Sequence, residues 1–185
     1  MIRIGILGDI GAGKSYVANN FGYPVFNADH EVSKIYKKNK KIFYKLNKKL
    51  PKYIYSFPID KKQVTNAVLS NNSNFKIILK IIHLEIRKKM NLFLKKNKNK
   101  KIIILDIPLL LENKIYRKKD ILVFVESPKE EVNKRLKKRL NFNNKLFKKF
   151  KNIQFSPRYK KRKAKFIIKN KFTKKSVSIG IKNIL

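Results

Sequence analysis

Residues Ile2 to Leu7 form a short apolar run, interrupted by Arg3 and Gly5; a glycine-rich stretch follows, and apolar residues recur at helical spacing from about Gly13 to Phe21. That order predicts strand, loop, helix. Pro24-Val25-Phe26 predicts a second short strand, ending at Asn27-Ala28-Asp29. Helical patterning follows from about His30 to Leu50, and Pro51 and Pro58 break it. Asp60 opens a helix to about Leu69, and a long amphipathic helix is expected from Asn74 to Leu94. Ile102 to Leu105 and Ile121 to Val125 are apolar throughout, the pattern of strands buried on both faces. Ser127-Pro128 with Glu130 and Glu131 predicts a helix start, Pro at its first position and acids in its first turn, running to about Arg139. Residues 140–160 are very basic and poorly patterned. Phe166 to Ile168 is a last short strand, and Lys174 to Leu185 a closing helix.

Strands alternating with helices predict an α/β fold on a five-stranded parallel sheet. The all-helical stretch 39–98 is too long for a simple crossover, so it is expected to be an inserted helical unit. No repeat or separate linker divides the 185 residues, and one domain is expected.

The charge balance is extreme. Lys and Arg number 48 against 11 Asp and Glu, a formal net charge of +37. A field of that sign attracts polyanions, nucleic acid among them. Yet only seven of the bases are Arg, the residue favoured for phosphate and base contacts, and Asn (20) and Ile (25) are abundant too. Lys, Asn, Ile, Phe and Tyr share codons rich in A and T, so base composition of the gene explains the set together. Residues that resist this drift then carry the information. With 43% hydrophobic residues, disorder over the whole chain is excluded. The absence of Cys excludes a disulfide scaffold, a thiolate metal site and Cys catalysis. No run reaches the ~18 apolar residues of a membrane span, and the first apolar run is too short for a secretory signal. A cytoplasmic location is expected.

Gly8-Asp9-Ile10-Gly11-Ala12-Gly13-Lys14-Ser15 matches G-x-x-x-x-G-K-[ST]. Glycines let the backbone curl so that successive N–H groups face phosphate oxygens, and the next helix adds its positive end. Lys14 is expected to bridge the β- and γ-phosphates of a nucleoside triphosphate, and the Ser15 hydroxyl to hold Mg²⁺. Two of the five Asp follow predicted strands, where such folds place their sites. Asp106 has the place of a carboxylate that holds the metal through water. Asp29 has the place of a base for an acceptor hydroxyl, and so positive a field predicts a low pKa for it. The alternative for each is a helix N-cap.

Together these residues resemble the dephospho-CoA kinase family over nearly the whole chain. The family's G-L-T-G-G-I-G-S-G-K-S is similar to Gly5-Ile6-Leu7-Gly8-Asp9-Ile10-Gly11-Ala12-Gly13-Lys14-Ser15, and its D-A-D to Asn27-Ala28-Asp29. Its H-P-x-[IV]-R resembles His83-Leu84-Glu85-Ile86-Arg87, and its D-[IV]-P-L-L-x-E resembles Asp106-Ile107-Pro108-Leu109-Leu110-Leu111-Glu112. Arg135 and Arg139, with Asn133, resemble Q-x-x-R-x-x-x-R. Gln154, Ala164 and Ile168-Lys169-Asn170 resemble the closing Q…A-D-x-[IV]-x-N.

The resemblance implies a three-layer P-loop nucleotide-kinase-like fold. Its core would be 1–38, 99–136 and 161–185, with a helical acceptor-binding insertion at 39–98 and a lid at 137–160. It implies transfer of the ATP γ-phosphate to the 3′-hydroxyl of dephospho-CoA, with Mg²⁺. Asp29, Lys14 and Arg139 would be catalytic. Gly8 to Tyr16, Arg135 and Asn170 would bind ATP. Asp29, His83, Arg87, Asp106, Pro108 and Leu109 would face the acceptor, and Ser15 and Asp106 the metal. Expected partners are the two small-molecule substrates, with no specific nucleic acid and no membrane, in a monomer or weak homo-oligomer. For His83 the alternative is a helix-face histidine packed by Ile82 and Ile86; for Arg135 and Arg139 it is a solvated basic helix. Another P-loop kinase and a basic nucleic-acid-binding protein are the competing functions. The chain departs from the family pattern at Asp9, Tyr16, Asn27, Leu84 and Lys165.

Overall fold

Short apolar runs become strands because alternate residues find a hydrophobic layer on each side. In the computed structural model, which describes residues 1–139 and 142–185, the strands are β1 (Ile2–Gly8), β2 (Val25–Asn27), β3 (Ile102–Asp106), β4 (Ile121–Glu126) and β5 (Phe166–Lys169). They form one parallel sheet in the order β2-β3-β1-β4-β5. Ile4 and Ile6 of β1, Ile104 of β3 and Val123 and Val125 of β4 point into one core. Leu7, Ile103, Leu105, Leu122 and Phe124 point into the other. This period-two division of unbroken apolar runs is what a sheet covered on both faces requires.

The first core is closed by α1 (Lys14–Asn20) and α9 (Lys174–Lys182), through Val17, Ala18, Val177 and Ile181. The second is closed by α2 (Ala28–Lys38), α3 (Lys40–Lys49), α4 (Lys61–Ser70) and α5 (Asn72–Lys96). The remaining helices are α6 (Lys129–Lys137), α7 (Asn144–Asn152) and α8 (Pro157–Lys163). The three-layer α/β architecture is the expected one.

Local differences have local causes. The helix expected over 30–50 is two helices, divided at Asn39. The Asn39 side chain accepts from the Ile42 N–H (3.1 Å), so it caps α3 while ending α2. The poorly patterned stretch 140–160 holds α7 and α8, capped by Asn143 and Ser156, with Pro157 opening α8. Residues 140 and 141 of the expected lid lie outside the described residues. Pro128 is the cap of α6 rather than its first residue. Its neighbour Ser127 donates instead to the Ala12 carbonyl (2.8 Å), tying β4 to the glycine loop.

One buried ion pair anchors β1. Arg3 and Asp120 meet at 2.9 Å with side chains 5% and 3% exposed. Burial pulls the guanidinium pKa below its ordinary value, and Asp120 opposes that. Removing the acid would leave a buried cation without its counter-charge. Asp120→Ala is therefore expected to destabilise the fold by about 3–5 kcal/mol. Thermal melting should register this as a fall of roughly 10 °C.

Candidate active site

The strand order itself opens a crevice. The chain leaves β1 toward one edge of the sheet and leaves β3 toward the other, so the carboxyl ends of these neighbouring strands are not covered by their own connections. β1 ends at Gly8 and runs into the glycine loop; β3 ends at Asp106. Gly13 has φ 83°, and a Cβ there would lie 2.5 Å from Nδ2 of Asn170. Backbone conformation and space thus both require glycine. The Asp9 carboxylate is turned onto its own loop, accepting from the Ile10 N–H (2.9 Å). The Asp9 carbonyl accepts from Lys14 Nζ (2.8 Å).

A cleft of about 760 Å³ lies in front of this loop. Lys14 and Ser15 reach it from α1, Asp29 from the first turn of α2, Asp106 from β3, and Arg139 from just beyond α6. Asp106 is 3% exposed. Its carboxylate accepts from the Asn27 amide (2.7 Å) and is hydrogen-bonded by Ser15. Asn27, not Asp29, caps α2, accepting from the His30 N–H (2.8 Å). Asp29 is therefore free of the capping role and faces the cleft.

The electrostatics reverse one expectation. Asp29 titrates above the ordinary carboxylate range, first because the surrounding walls desolvate it and then because Asp106 is close. Lys14, Arg139 and Lys61 oppose that rise without overcoming it. The net charge of +37 predicts a low value; desolvation is local and outweighs a field spread over the whole surface. Burial also raises Asp106 and lowers Lys14, and each of these two charges pulls the other back. An ammonium, a hydroxyl and two carboxylates at the mouth of a glycine loop can hold phosphate, bind a hard cation through oxygen, and take a proton from a hydroxyl. Among the described residues no group of three or more His, Asp or Glu is arranged as a metal cage.

The family model for dephospho-CoA kinase matches residues 2–175. This chain belongs to the dephospho-CoA kinase family. A curated dephospho-CoA kinase of Wolbachia pipientis wMel is 32% identical over 187 aligned residues, covering 98% of this chain and 95% of that protein. A crystal structure from Thermus thermophilus shares the fold with a TM-score of 0.77 at 23% identity, covering 99% of this chain and 95% of that one. A dephospho-CoA kinase from Campylobacter jejuni shares it with a TM-score of 0.64 at 24% identity, covering 98% and 94%.

Most of the other expected site residues fall around the cleft. Ile10, Gly11, Gly13, Tyr16, Pro108 and Leu109 line it. Gly8 and Ala12 stand behind it; the Ala12 carbonyl accepts from Asn170 Nδ2 (3.0 Å). Arg135 and Asn170 line an adjoining pocket of about 720 Å³, which shares Gly11, Gly13, Tyr16 and Arg139 with the cleft. His83 lines a narrower apolar cavity of about 170 Å³, which shares Asp29, Pro108 and Leu109 with it. Arg87 is exposed and lines none of these three; its Nη2 donates to the Asn113 carbonyl (2.8 Å).

Several cleft residues escape a reading of the sequence. Lys61 opens α4 beneath Asp29, and Leu146, Phe147 and Phe150 of α7 form one wall. The signal for that wall was a capping Asn143 followed by apolar residues at helical spacing. Lys160 had no signal, standing among runs of lysine. In the fold it is 4% exposed, paired with Glu112 (3.1 Å) and bonded to Gln154 (3.0 Å).

Burial and the nearby Arg87 push His83 below its ordinary pKa. A histidine held neutral in the fold lets the unfolded chain take up a proton first, so stability falls as pH drops through the unfolded value of ~6.5. His83→Gln is expected to lose less stability than the parent below that pH. Melting curves of both proteins between neutral and mildly acidic pH would show the gap shift in favour of the variant.

Proposed function

We propose that this chain phosphorylates the 3′-hydroxyl of dephospho-CoA with the γ-phosphate of ATP, giving coenzyme A, the last step of its synthesis. Membership of the family supports the activity. The observation that carries the chemistry is the convergence of Asp29, Lys14, Ser15, Asp106 and Arg139 on one cleft.

In this reading the glycine loop cradles the triphosphate and Lys14 exchanges its contacts with the Asp9 and Gly8 carbonyls for phosphate oxygens. Ser15 and Asp106 would hold Mg²⁺, which when bound would supply charge neutralisation on the phosphates. Asp29 accepts the proton of the 3′-hydroxyl as its oxygen bonds to the γ-phosphorus. The bond from that phosphorus to the β–γ bridging oxygen breaks, and ADP leaves. Arg139 and Lys14 offset the negative charge spread over the transferring group. A carboxyl with a raised pKa is a stronger base once ionised, which favours Asp29 for the task. Arg135 and Asn170 serve the nucleoside end of ATP. His83, Arg87, Pro108 and Leu109 serve the acceptor side, Arg87 by holding the loop at Asn113. The division into a core, an acceptor-binding helical unit at 39–98 and a lid at 137–160 follows. Phe150 of α7 and Phe75 of α5 already meet edge to face (ring centroids 5.3 Å apart), which supports a lid that rests on the helical unit. No helix of the described residues is long and apolar enough to cross a membrane, and we place the work in the cytoplasm.

Purified protein with MgATP and dephospho-CoA should yield coenzyme A, detected by chromatography. A folded sample that yields none overturns the proposal. Asp29→Asn should lower kcat by at least about a hundredfold. The acid limb of kcat in the parent should lie above the ~3.9 of an ordinary aspartate, because protonation of a raised carboxyl removes the base at higher pH; a pH series at saturating substrates reads this directly.

A further inference from the structure

A buried ion pair stands behind the cleft and takes no part in the chemistry described above. Lys160 Nζ and Glu112 Oε1 are 3.1 Å apart, their side chains 5% and 9% exposed. The same Glu112 oxygen accepts from the Phe155 N–H (2.8 Å). Lys160 Nζ also donates to Gln154 Oε1 (3.0 Å). Glu112 thus holds both the turn between α7 and α8 and the lysine beyond it, and Lys160 holds the side chain that begins that turn. Burying an ion pair costs about as much as the pair returns, so such a pair is better explained by what it fixes than by stability.

What it fixes is the direction of one amide. A glutamine side chain has one accepting end and one donating end, and an ammonium only donates. The Gln154 oxygen therefore faces Lys160, and its NH2 is turned away from it. Gln154 lines the main cleft together with Lys14, Asp29, Asp106 and Arg139. It does not line the adjoining pocket that holds Arg135 and Asn170. Its place is therefore at the end of the cleft where the phosphoryl group is transferred, away from the nucleoside end. Behind it, Gln154, Lys160 and Glu112 share with Gly8 and Lys14 a gap of about 10 Å³, too small for a ligand. The network rests directly on the back of the phosphate loop.

We propose that Gln154 is a further residue of phosphate transfer, its amide NH2 donating to the γ-phosphoryl oxygens, and that Lys160 is the positioning residue that turns it there. The inference rests on the ATP assignment made above. Negative charge is spread over the oxygens of the transferring group, and a donor already aimed at them needs no rearrangement as that charge develops. Glu112 absorbs the charge of Lys160, so the amide is aimed without adding a third cation to Lys14 and Arg139. A lysine that acted on phosphate by its own charge would not be paired and buried behind the loop.

The test joins calorimetry to steady-state rates. Gln154→Met keeps the length of the side chain and removes the donor. It should weaken binding of a non-hydrolysable ATP analogue with Mg²⁺ roughly threefold to tenfold, and leave ADP within about twofold, because only the analogue carries the γ-phosphoryl group. Its kcat should fall roughly tenfold to a hundredfold, with KM for dephospho-CoA within about threefold of the parent. Lys160→Met should lower kcat in the parent but cost no further kcat in the Gln154→Met background, while lowering the melting temperature in both. Parent-like kcat in Gln154→Met, an equal loss of affinity for analogue and ADP, or an equal kcat loss from Lys160→Met in both backgrounds overturns the proposal. If Lys160→Met does not melt cooperatively, Glu112→Gln, which loosens the hold on Lys160, takes its place in the same cycle. A parent that binds the analogue but forms no coenzyme A strikes the acceptor assignment alone, and the comparison of analogue with ADP still reads this proposal; a parent that does not bind the analogue overturns both.

Discussion

Parallel pairing of β1, β2 and β3 is the constraint on which the site depends. Parallel strands end at the same edge, so Gly8, Asn27 and Asp106, separated by up to 98 positions in the chain, arrive side by side. The register sets Asn27 opposite Asp106, and the 2.7 Å hydrogen bond between them follows from it. A strand slipped by one residue would turn every side chain to the other face. The oxygen pair of Ser15 and Asp106 would then be lost, and Asp29 would no longer follow Asn27 into the cleft.

From that edge outward, charge is organised on two scales. Over the surface, most of the 48 basic residues face solvent and salt, and their effect on any one group is weakened by both. Within the cleft, burial and a few near neighbours decide. Asp29 and Asp106 rise and Lys14 falls; Lys14 restrains both carboxyls, while Asp106 adds to the rise of Asp29. The excess of lysine is therefore compatible with a carboxyl at Asp29 that rises, since desolvation beside the cleft and the nearby Asp106 act on it directly. The same large excess still creates a positive field around the molecule that would steer anionic substrates toward the crevice.

The glycine loop is supported from behind by side chains remote in sequence. Ser127 at the end of β4 and Asn170 at the end of β5 both donate to the Ala12 carbonyl. Val132 and Leu136 of α6 crowd Gly11, where an added Cβ would lie 3.0 Å from the Val132 side chain. Glu112, Lys160 and Gln154 join the turn after β3 to α8. The ties reach the loop or its neighbours from two strand ends, from α6 and from α8, so the loop and the helices around it are braced by one another.

The strands, the glycine loop, Asp29 and Asp106 were legible in the sequence because their signals are local. A strand buried on both faces reads as an unbroken apolar run, and a loop that needs glycine concentrates four of the chain's six glycines within nine residues. Asn39 shows the limit of that reading: a cap that both ends one helix and begins the next looks, in periodicity, like one longer helix. Lys160 and Phe172 show it more sharply. One lysine among 41 and one phenylalanine among 13 carry no mark of their own. Burial against Glu112 and contact with Arg135 single them out, and both contacts join segments far apart along the chain. The sequence by itself determined the class of fold and the chemistry of the loop, since both are written in neighbouring residues. The tertiary structure alone decided which lysine is buried, which way Asp29 titrates and what Arg135 leans on, since desolvation and stacking depend on what the fold brings near.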